Sequence, residues 1–446
     1  MVALIKGGIP KTSVANGTEA RQQQSMSRNA VWVFGSNLFN QLDPDDRTNA
    51  QKKITKPRDL IRKERLKDAI SFDILHVTDS QTLVKYTHAT ESGESEHLEI
   101  WGFDDEKQST VGNRLNPPQK PFILHPVHQV KQWLGRTKIL GYLARDGTIH
   151  PFNLNVKTSK EPQDNPTPLL SNPVRYRAVT ISDNGEVLAA VLPKSSQTPD
   201  SKTEINPLIR LELWPSFQDL LDFCLDGVET HSKRRWINLP PLRSGETEIQ
   251  LSSGASHFLI LTHTPLPSED GSKEEVSDYH STLYAFGDNR FGQLGIGSRS
   301  VSVNEPQKIE DLSALSSIDC GLFHSLALGH DGELYIFGHN RKSQCGVGSS
   351  QVDTTTPILV DLGANGEAGD IIDVIDARCG SEHTVVLTSS GVWLAGSNDL
   401  GQLGIEDLVS RSEFQRNDNI PIADHPNTHS AWNIKTGRWN TFVWIK

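Results

Sequence analysis

Apolar and polar residues alternate with a period of two through most of the chain, interrupted at intervals by Gly, Asn and Asp, which predicts short antiparallel strands joined by tight turns. Three stretches of the second half carry the pattern almost as copies: LYAFGDNRFGQLG from Leu283 to Gly295, LYIFGHNRKSQCG from Leu334 to Gly346, and VWLAGSNDLGQLG from Val392 to Gly404. A fourth copy, VWVFGSNLFNQL from Val31 to Leu42, opens the patterned part of the chain. Each copy begins as an alternating strand and ends in Gly and Asn, which allow positive φ and close main-chain approach. A second element alternates with this glycine–asparagine element: LSSGASHFLIL from Leu251, IDCGLFHSLAL from Ile318 and ARCGSEHTVVL from Ala377 share G-x-x-H followed by a strand.

The rest of the chain continues the alternation with weaker signs. Ile74 to Tyr86 and Val130 to Ala144 follow the histidine element without its G-x-x-H, and so does Tyr176 to Ala190 with its Asn184-Gly185 turn. Leu98 to Gly102, Asp146 to Phe152 and Ile209 to Trp214 follow the glycine–asparagine element. Seven of each result, with a period longer than the roughly 40 to 50 residues of common propeller repeats. The patterned chain starts with half a repeat at Val31 and ends with the other half, Trp432 to Ile445. Neither half can bury its apolar face or pair its strand edge alone, and joined they complete one blade. The expected fold class is therefore all-β: one seven-bladed β-propeller over residues 31–446, closed by pairing of the N-terminal and C-terminal strands. Residues 1–30 form an expected disordered tail, since Thr12 to Asn29 is polar throughout, and Met26-Ser27 is a second candidate start. Polar insertions rich in Pro, Ser and charge are expected as surface loops near 153–173, 193–206 and 263–280. Trp214 to Cys224 has apolar residues at helical spacing with Pro215 near its start, which predicts one short helix packed on a blade.

Composition narrows function by exclusion. The net charge of -11 argues against broad, sequence-independent binding to phosphate backbones, which needs excess cations on one face. The basic run from Lys52 to Lys67 and the shorter run ending at Arg235 can meet RNA or an acidic protein, but a solvated inter-strand loop or helix is the default reading of both. Cys224, Cys320, Cys345 and Cys379 form no C-x-x-C pair. No zinc site or disulfide framework is expected from them, and reduced buried thiols suit a cytoplasmic and nuclear protein. No apolar run approaches the roughly 20 residues needed to span a bilayer. His257, His324 and His383 stand one to a blade, spaced round a ring, so they are not expected to converge on one metal ion; each is expected to hydrogen-bond a turn within its own blade. Gly287, Gly292, Gly295 and Gly297 match no phosphate-binding loop, and no G-x-S-x-G or H-E-x-x-H occurs. Catalytic, metal and cofactor sites are accordingly all expected to be none.

A G-x-x-H strand, a turn such as Asp331-Gly332, and then L-Y-x-F-G-x-N-x-x-G-Q-L-G resembles the regulator-of-chromosome-condensation repeat. The resemblance implies binding of other proteins through the loops of one propeller face. In layout, with the V-W-x-F-G-S-N strand near the start and no long basic tail, the chain is similar to the fungal alpha-tubulin suppressor, or killer-toxin-insensitivity, branch. Members of that branch pair with a small zinc-binding electron-carrier protein and support Elongator-dependent tRNA wobble-uridine modification and diphthamide synthesis. Guanine-nucleotide exchange on the Ran GTPase is the alternative the family implies, and a scaffold for chromatin or ubiquitin machinery is the third. The expected species is a monomer or heterodimer with no membrane contact and no strong direct nucleic-acid binding. The resemblance places the partner on the turns of the histidine elements: Ser256 and His257, Phe323 and His324, Glu382 and His383, and Arg438 and Trp439 in the closing blade, where Asn440 stands in place of His.

Overall fold

A computed structural model describes residues 30–38, 41–43, 53–60, 63, 66–90, 93–102, 129–152, 174–192, 210–226, 234–239, 248–265, 279–348, 352–362, 373–420 and 432–445. Seven antiparallel sheets follow one another as the blades of a β-propeller. Blade 1 joins the two ends of the chain: β1 (Val31–Ser36) and β2 (Lys53–Asp59) pair with β25 (Trp432–Thr436) and β26 (Asn440–Ile445) in the order β2-β1-β26-β25. Blade 2 holds β3 (Ala69–Val77), β4 (Gln81–Thr90) and β5 (Gly93–Gly102), and blade 3 holds β6 (Val130–Leu134), β7 (Gly141–Ala144) and β8 (Ile149–Pro151). Blade 4 consists of β9 (Tyr176–Ile181), β10 (Val187–Val191), β11 (Arg210–Trp214) and β12 (Arg235–Ile237), with helix α1 (Phe217–Asp226) between the last two. Blades 5, 6 and 7 are four-stranded meanders: β13 (Glu248–Ser253) to β16 (Ser300–Lys308), β17 (Leu315–Cys320) to β20 (Thr354–Leu359), and β21 (Val374–Cys379) to β24 (Arg411–Arg416).

The expected closure is present. β26 pairs with β1 from Val31 opposite Trp444 to Gly35 opposite Asn440, and Ile445 N donates to Ala30 O at 3.0 Å. Trp32 stacks on Trp432 with ring centroids 5.2 Å apart, so side chains as well as backbone tie the two ends together. Trp444 and Ile445 are buried, and their burial rests on β1, 400 residues earlier by the numbering. The apolar core lies between blades: Leu259, Leu261 and Ala285 of blade 5 pack on Ile318, Ala327 and Phe337 of blade 6, and comparable clusters fill the other interfaces. A fully buried Phe such as Phe337 contributes roughly 1.5–3 kcal/mol.

The innermost strands are stitched together around the whole ring. Lys435 donates to the carbonyls of Ile74 and Leu75 at 2.6 Å, His76 meets Gly135 O at 2.7 Å, and Gln132 donates to Val179 O at 2.6 Å. Thr180 meets the Ser253 hydroxyl at 2.8 Å, Gln250 donates to Ser316 O at 2.8 Å, and Cys379 N donates to the Asp319 carboxylate at 2.9 Å. Thr436 donates to Cys379 O at 2.8 Å and completes the circuit.

Three expectations about local structure are refined. The helix starts at Phe217, with the N-cap Ser216 hydroxyl accepting from Asp219 N at 3.1 Å, which satisfies a main-chain donor of the first turn, and donating to the Asp219 carboxylate at 2.5 Å. Its Phe217, Leu220, Leu221 and Cys224 are buried against blades 3 and 4, as expected. The basic run is neither loop nor helix where it is described: Lys53 to Asp59 form β2, because β1 offers an edge that only another strand can pair. Four of its cations are engaged, Arg58 and Lys63 with the buried Asp43 at 2.6 and 3.0 Å, Lys56 with Glu406 at 2.7 Å and Lys53 with Asp399 O at 2.9 Å; Lys52, Arg62 and Arg65 lie outside the described residues. The insertion expected from His263 begins only after Pro265, since β14 (His257–Pro265) and β15 (Tyr279–Asn289) extend their hairpin to both sides of it. His263 is a buried strand residue bonded to Leu315 O at 2.7 Å. The insertions at 153–173 and 193–206, and residues 1–29 of the expected tail, fall outside the described residues.

Candidate protein-docking face

The turns between the first and second strands of the blades meet on one face. Five are joined by main-chain hydrogen bonds: Asn184 N to Ala255 O at 3.1 Å, Ala255 N to Leu322 O at 3.0 Å, Leu322 N to Ser381 O at 3.1 Å, and Ser381 N to Arg438 O at 3.1 Å. Blades 2 and 3 lack G-x-x-H and bring in side chains to continue the ring. Arg438 pairs with Asp79 at 2.9 Å, Asp79 N donates to Arg136 O at 2.8 Å, and Arg136 pairs with Asp183 at 2.5 Å. The ring of turns is thus closed through all seven blades. Burial raises the Asp79 carboxyl above its ordinary pKa, while the bond from Arg438 pulls the other way. Asp79, Arg136 and Asp183 escaped the sequence reading because their turns lack the glycine–histidine signature that marks the others.

Beneath the ring lies a clamp repeated three times. His257 Nε2 meets the Ser325 hydroxyl at 3.0 Å, His324 Nε2 the Thr384 hydroxyl at 3.1 Å, and His383 Nε2 the Thr441 hydroxyl at 3.1 Å. Each hydroxyl in turn donates to the carbonyl of a glutamine of the histidine's own blade: Ser325 to Gln293 O at 2.8 Å, Thr384 to Gln344 O at 2.6 Å, and Thr441 to Gln402 O at 3.0 Å. Since the hydroxyl's proton goes to the carbonyl, Nε2–H is the donor, and the buried Nδ1, which no hydrogen bond reaches among the described residues, suits a neutral ring. Burial agrees, holding all three at a pKa of about 3 against an ordinary 6.5. The histidines therefore bond the next blade, not a turn of their own as expected, because at 0% exposure each ring points into the blade interface.

The motif glycines follow from the same geometry. A Cβ on Gly321 would lie 2.1 Å from the His324 ring, and one on Gly338, at φ +107°, would lie 2.7 Å from Phe323 O. In the G-x-N-x-x-G-Q-L loops the Asn289 side chain accepts from Leu294 N at 3.1 Å and the Gln293 side chain from Phe291 N at 2.9 Å. The loops use their polar groups to hold their own shape.

The eight residues expected on the partner face separate into two groups. His257, His324 and His383 are removed from it, because a ring with no exposed surface cannot touch a partner. Ser256, Phe323, Glu382, Arg438 and Trp439 are each partly exposed on the turns. Ser256 receives a hydrogen bond from Asn184. Phe323 packs edge-on against Phe291 at 5.3 Å and lies 6.2 Å from His339, while Phe291 and His339 are 4.6 Å apart. This half-buried trio spans two blades, and Phe291 and His339 are additions that only the fold supplies. The Arg438 guanidinium lies 4.9 Å over the Trp439 ring.

The family model described as Regulator of chromosome condensation (RCC1) repeat matches residues 281–328 and 331–387, and a second model of that description matches residues 315–344. Residues 281–387 thus carry regulator-of-chromosome-condensation repeats. The chain is similar to the X-linked retinitis pigmentosa GTPase regulator homolog of Caenorhabditis elegans, 34% identical over 162 residues covering 36% of this chain and 10% of that protein. It is also similar to the Ultraviolet-B receptor UVR8 of Arabidopsis thaliana, 36% identical over 139 residues covering 30% of this chain and 29% of the receptor. The crystal structure of Prp20p from Saccharomyces cerevisiae covers 98% of this chain and 96% of its own, at 14% identity and a TM-score of 0.45. The matched residues span the second half of blade 5, blade 6 and the first half of blade 7, and include His324 and His383 of the clamp.

Proposed function

We propose that this chain is a non-catalytic docking propeller whose protein partner sits on the ring of turns, anchored by Phe323 and Trp439 with Glu382 and Arg438 beside them. The observation that carries the reading is the aromatic surface at these turns. Tight turns ordinarily expose small polar residues, whereas here Phe323 and Trp439 are half-buried on a ring of hydrogen-bonded turns, with Phe291 and His339 packed beside Phe323. Pre-organised aromatic and Arg side chains at the centre of an interface carry much of its energy, on the order of 2 kcal/mol or more each when truncated.

The partner we propose is the small zinc-binding electron-carrier protein expected from the chain's layout, in a heterodimer that serves tRNA wobble-uridine modification and diphthamide synthesis. The layout of the first and last strands in blade 1 and the acidic net charge support this reading. The test is a binding titration of the purified chain with that carrier and, separately, with Ran GTPase, the latter followed by nucleotide release. Nanomolar to micromolar binding of the carrier without acceleration of nucleotide release is the expected result; accelerated release from Ran would replace it with the exchange-factor reading. Phe323→Ala, Trp439→Ala and Glu382→Arg are each expected to weaken partner binding more than about tenfold while the melting temperature stays within a few degrees. Unchanged affinity in all three folded variants would place the partner elsewhere.

A further inference from the structure

The arginines of this fold are mostly spoken for: Arg58, Arg136, Arg175, Arg290, Arg299, Arg378, Arg411, Arg416 and Arg438 each pair with a carboxylate. The outer edge of blade 4 departs from this. Arg234 is consumed internally, 2.9 Å from the buried Glu212 and over the rings of Trp236, Phe223 and Trp214 at 4.4, 5.1 and 5.6 Å. Arg210 and Arg235, both exposed, have no carboxylate partner among the described residues. Arg210 lies 5.8 Å over the Trp236 ring, and Arg235 donates only to Asn304 O, at 2.9 Å. Arg235 projects from the opposite face of the sheet, 6.0 Å over the Phe286 ring of blade 5, whereas Trp236 shares the Arg210 face and is 41% exposed, and the sheet order explains why. Blade 4 has a fourth strand and blade 3 has three among the described residues. Trp236 stands opposite Glu212 in the β11–β12 register, and no strand of blade 3 among the described residues covers it.

We propose that this edge is a second docking site, separate from the ring of turns, and that it takes an extended acidic peptide segment of a partner protein. Among the described residues β12 is outermost in its sheet, so its edge can receive a strand through main-chain hydrogen bonds. A guanidinium lying over an indole keeps its N–H edge outward, ready for a carboxylate in the bidentate manner that favours arginine over lysine. Single-stranded nucleic acid fits less well. Guanidinium groups already lie over the Trp236 ring where a base would stack, and two free cations on a chain of net charge -11 make a poor phosphate track.

The experiment uses the full chain and three probes labelled with the same dye: a peptide of Glu-Glu-Val repeats, which offers carboxylates to both faces of the sheet, its Lys-Lys-Val counterpart, and an oligouridylate. The Glu peptide is expected to bind, to move the indole N–H resonance of Trp236 (assigned with Trp236→Phe), and to lose at least tenfold in affinity in Arg210→Ala plus Arg235→Ala. Both arginines are exposed, so the double variant keeps its melting temperature; Arg210→Glu plus Arg235→Glu, a second variant, reverses the preference toward the Lys peptide. Absence of Glu-peptide binding, equal binding by the variants, or tighter binding of the oligouridylate would each overturn the proposal. So would self-association of the chain that the double variant abolishes, since a second copy would then be the occupant. None of these outcomes depends on Phe323 or Trp439, so failure here leaves the ring reading intact, and the reverse holds as well.

Discussion

Replacing Thr441 by valine removes one oxygen from the joint between blades 7 and 1 while keeping the shape of the side chain. Thr441 has 0% exposure; its hydroxyl receives the His383 Nε2–H at 3.1 Å and donates to Gln402 O at 3.0 Å. Valine leaves a donor and an acceptor buried without partners, at about 1–3 kcal/mol each. The added methyl burial returns about 0.8 kcal/mol, so the net destabilisation is about 3 kcal/mol. Urea denaturation followed by tryptophan fluorescence reads this as a lower midpoint at unchanged slope. The exposed Thr356, given the same substitution, serves as control and is expected to cost less than about 0.5 kcal/mol. Combining Thr441→Val with His383→Ala should give less than the sum of the two, by about 1–2 kcal/mol, because both remove the same bond. A Thr441→Val midpoint indistinguishable from the control would refute the clamp as a stabilising device, and strict additivity would show that the two residues are not coupled.

His76, at a pKa of about 4, and His257, His324 and His383, at about 3, are neutral in the fold while an ordinary histidine titrates near 6.5. Above about pH 6.5 neither state protonates them; as the pH falls, the unfolded chain takes up protons that the fold refuses, so stability drops by up to about 1.4 kcal/mol per unit for each. A urea midpoint flat between about pH 7.5 and pH 5 would contradict this. All four cysteines are buried, and burial pushes the thiols up, to about 11 for Cys224 and about 12 for Cys320 and Cys345. A thiol reagent should therefore modify none of them in the native protein and all of them in urea, and rapid native labelling would contradict that burial. Arg234→Ala leaves the Glu212 carboxylate buried without its cation and should cost about 3–5 kcal/mol; Glu212→Gln in the same chain is expected to recover part of the loss, and a neutral Arg234→Ala would count against the pair. Removing residues 439–446 takes β26 out of the middle of blade 1 and should leave an aggregating chain, whereas a soluble product melting a few degrees lower would show that closure is dispensable.

Much of the architecture was legible along the chain because strand alternation and turn chemistry are local. The half repeats at Val31 and Trp432 could only be completed by each other, since an unpaired edge and an uncovered apolar face are costly in any fold. G-x-x-H was legible as a repeat too, but not the destination of the histidine, because His257 and Ser325 are 68 positions apart and meet only when neighbouring blades stack. The same limit hid Asp79, Arg136 and Asp183, whose ion pairs replace main-chain bonds in turns with no motif to announce them. The basic run at Lys53 became a strand because β1 had an edge to pair, and of two adjacent arginines Arg234 turned inward to Glu212 while Arg235 stayed outside, since successive side chains near a strand project to opposite faces. Alternation thus determined which residues form strands and how many blades they make. Which buried polar group finds which partner was decided by the packing of one blade on the next, where desolvation makes every unpaired group costly and leaves few arrangements that satisfy them all.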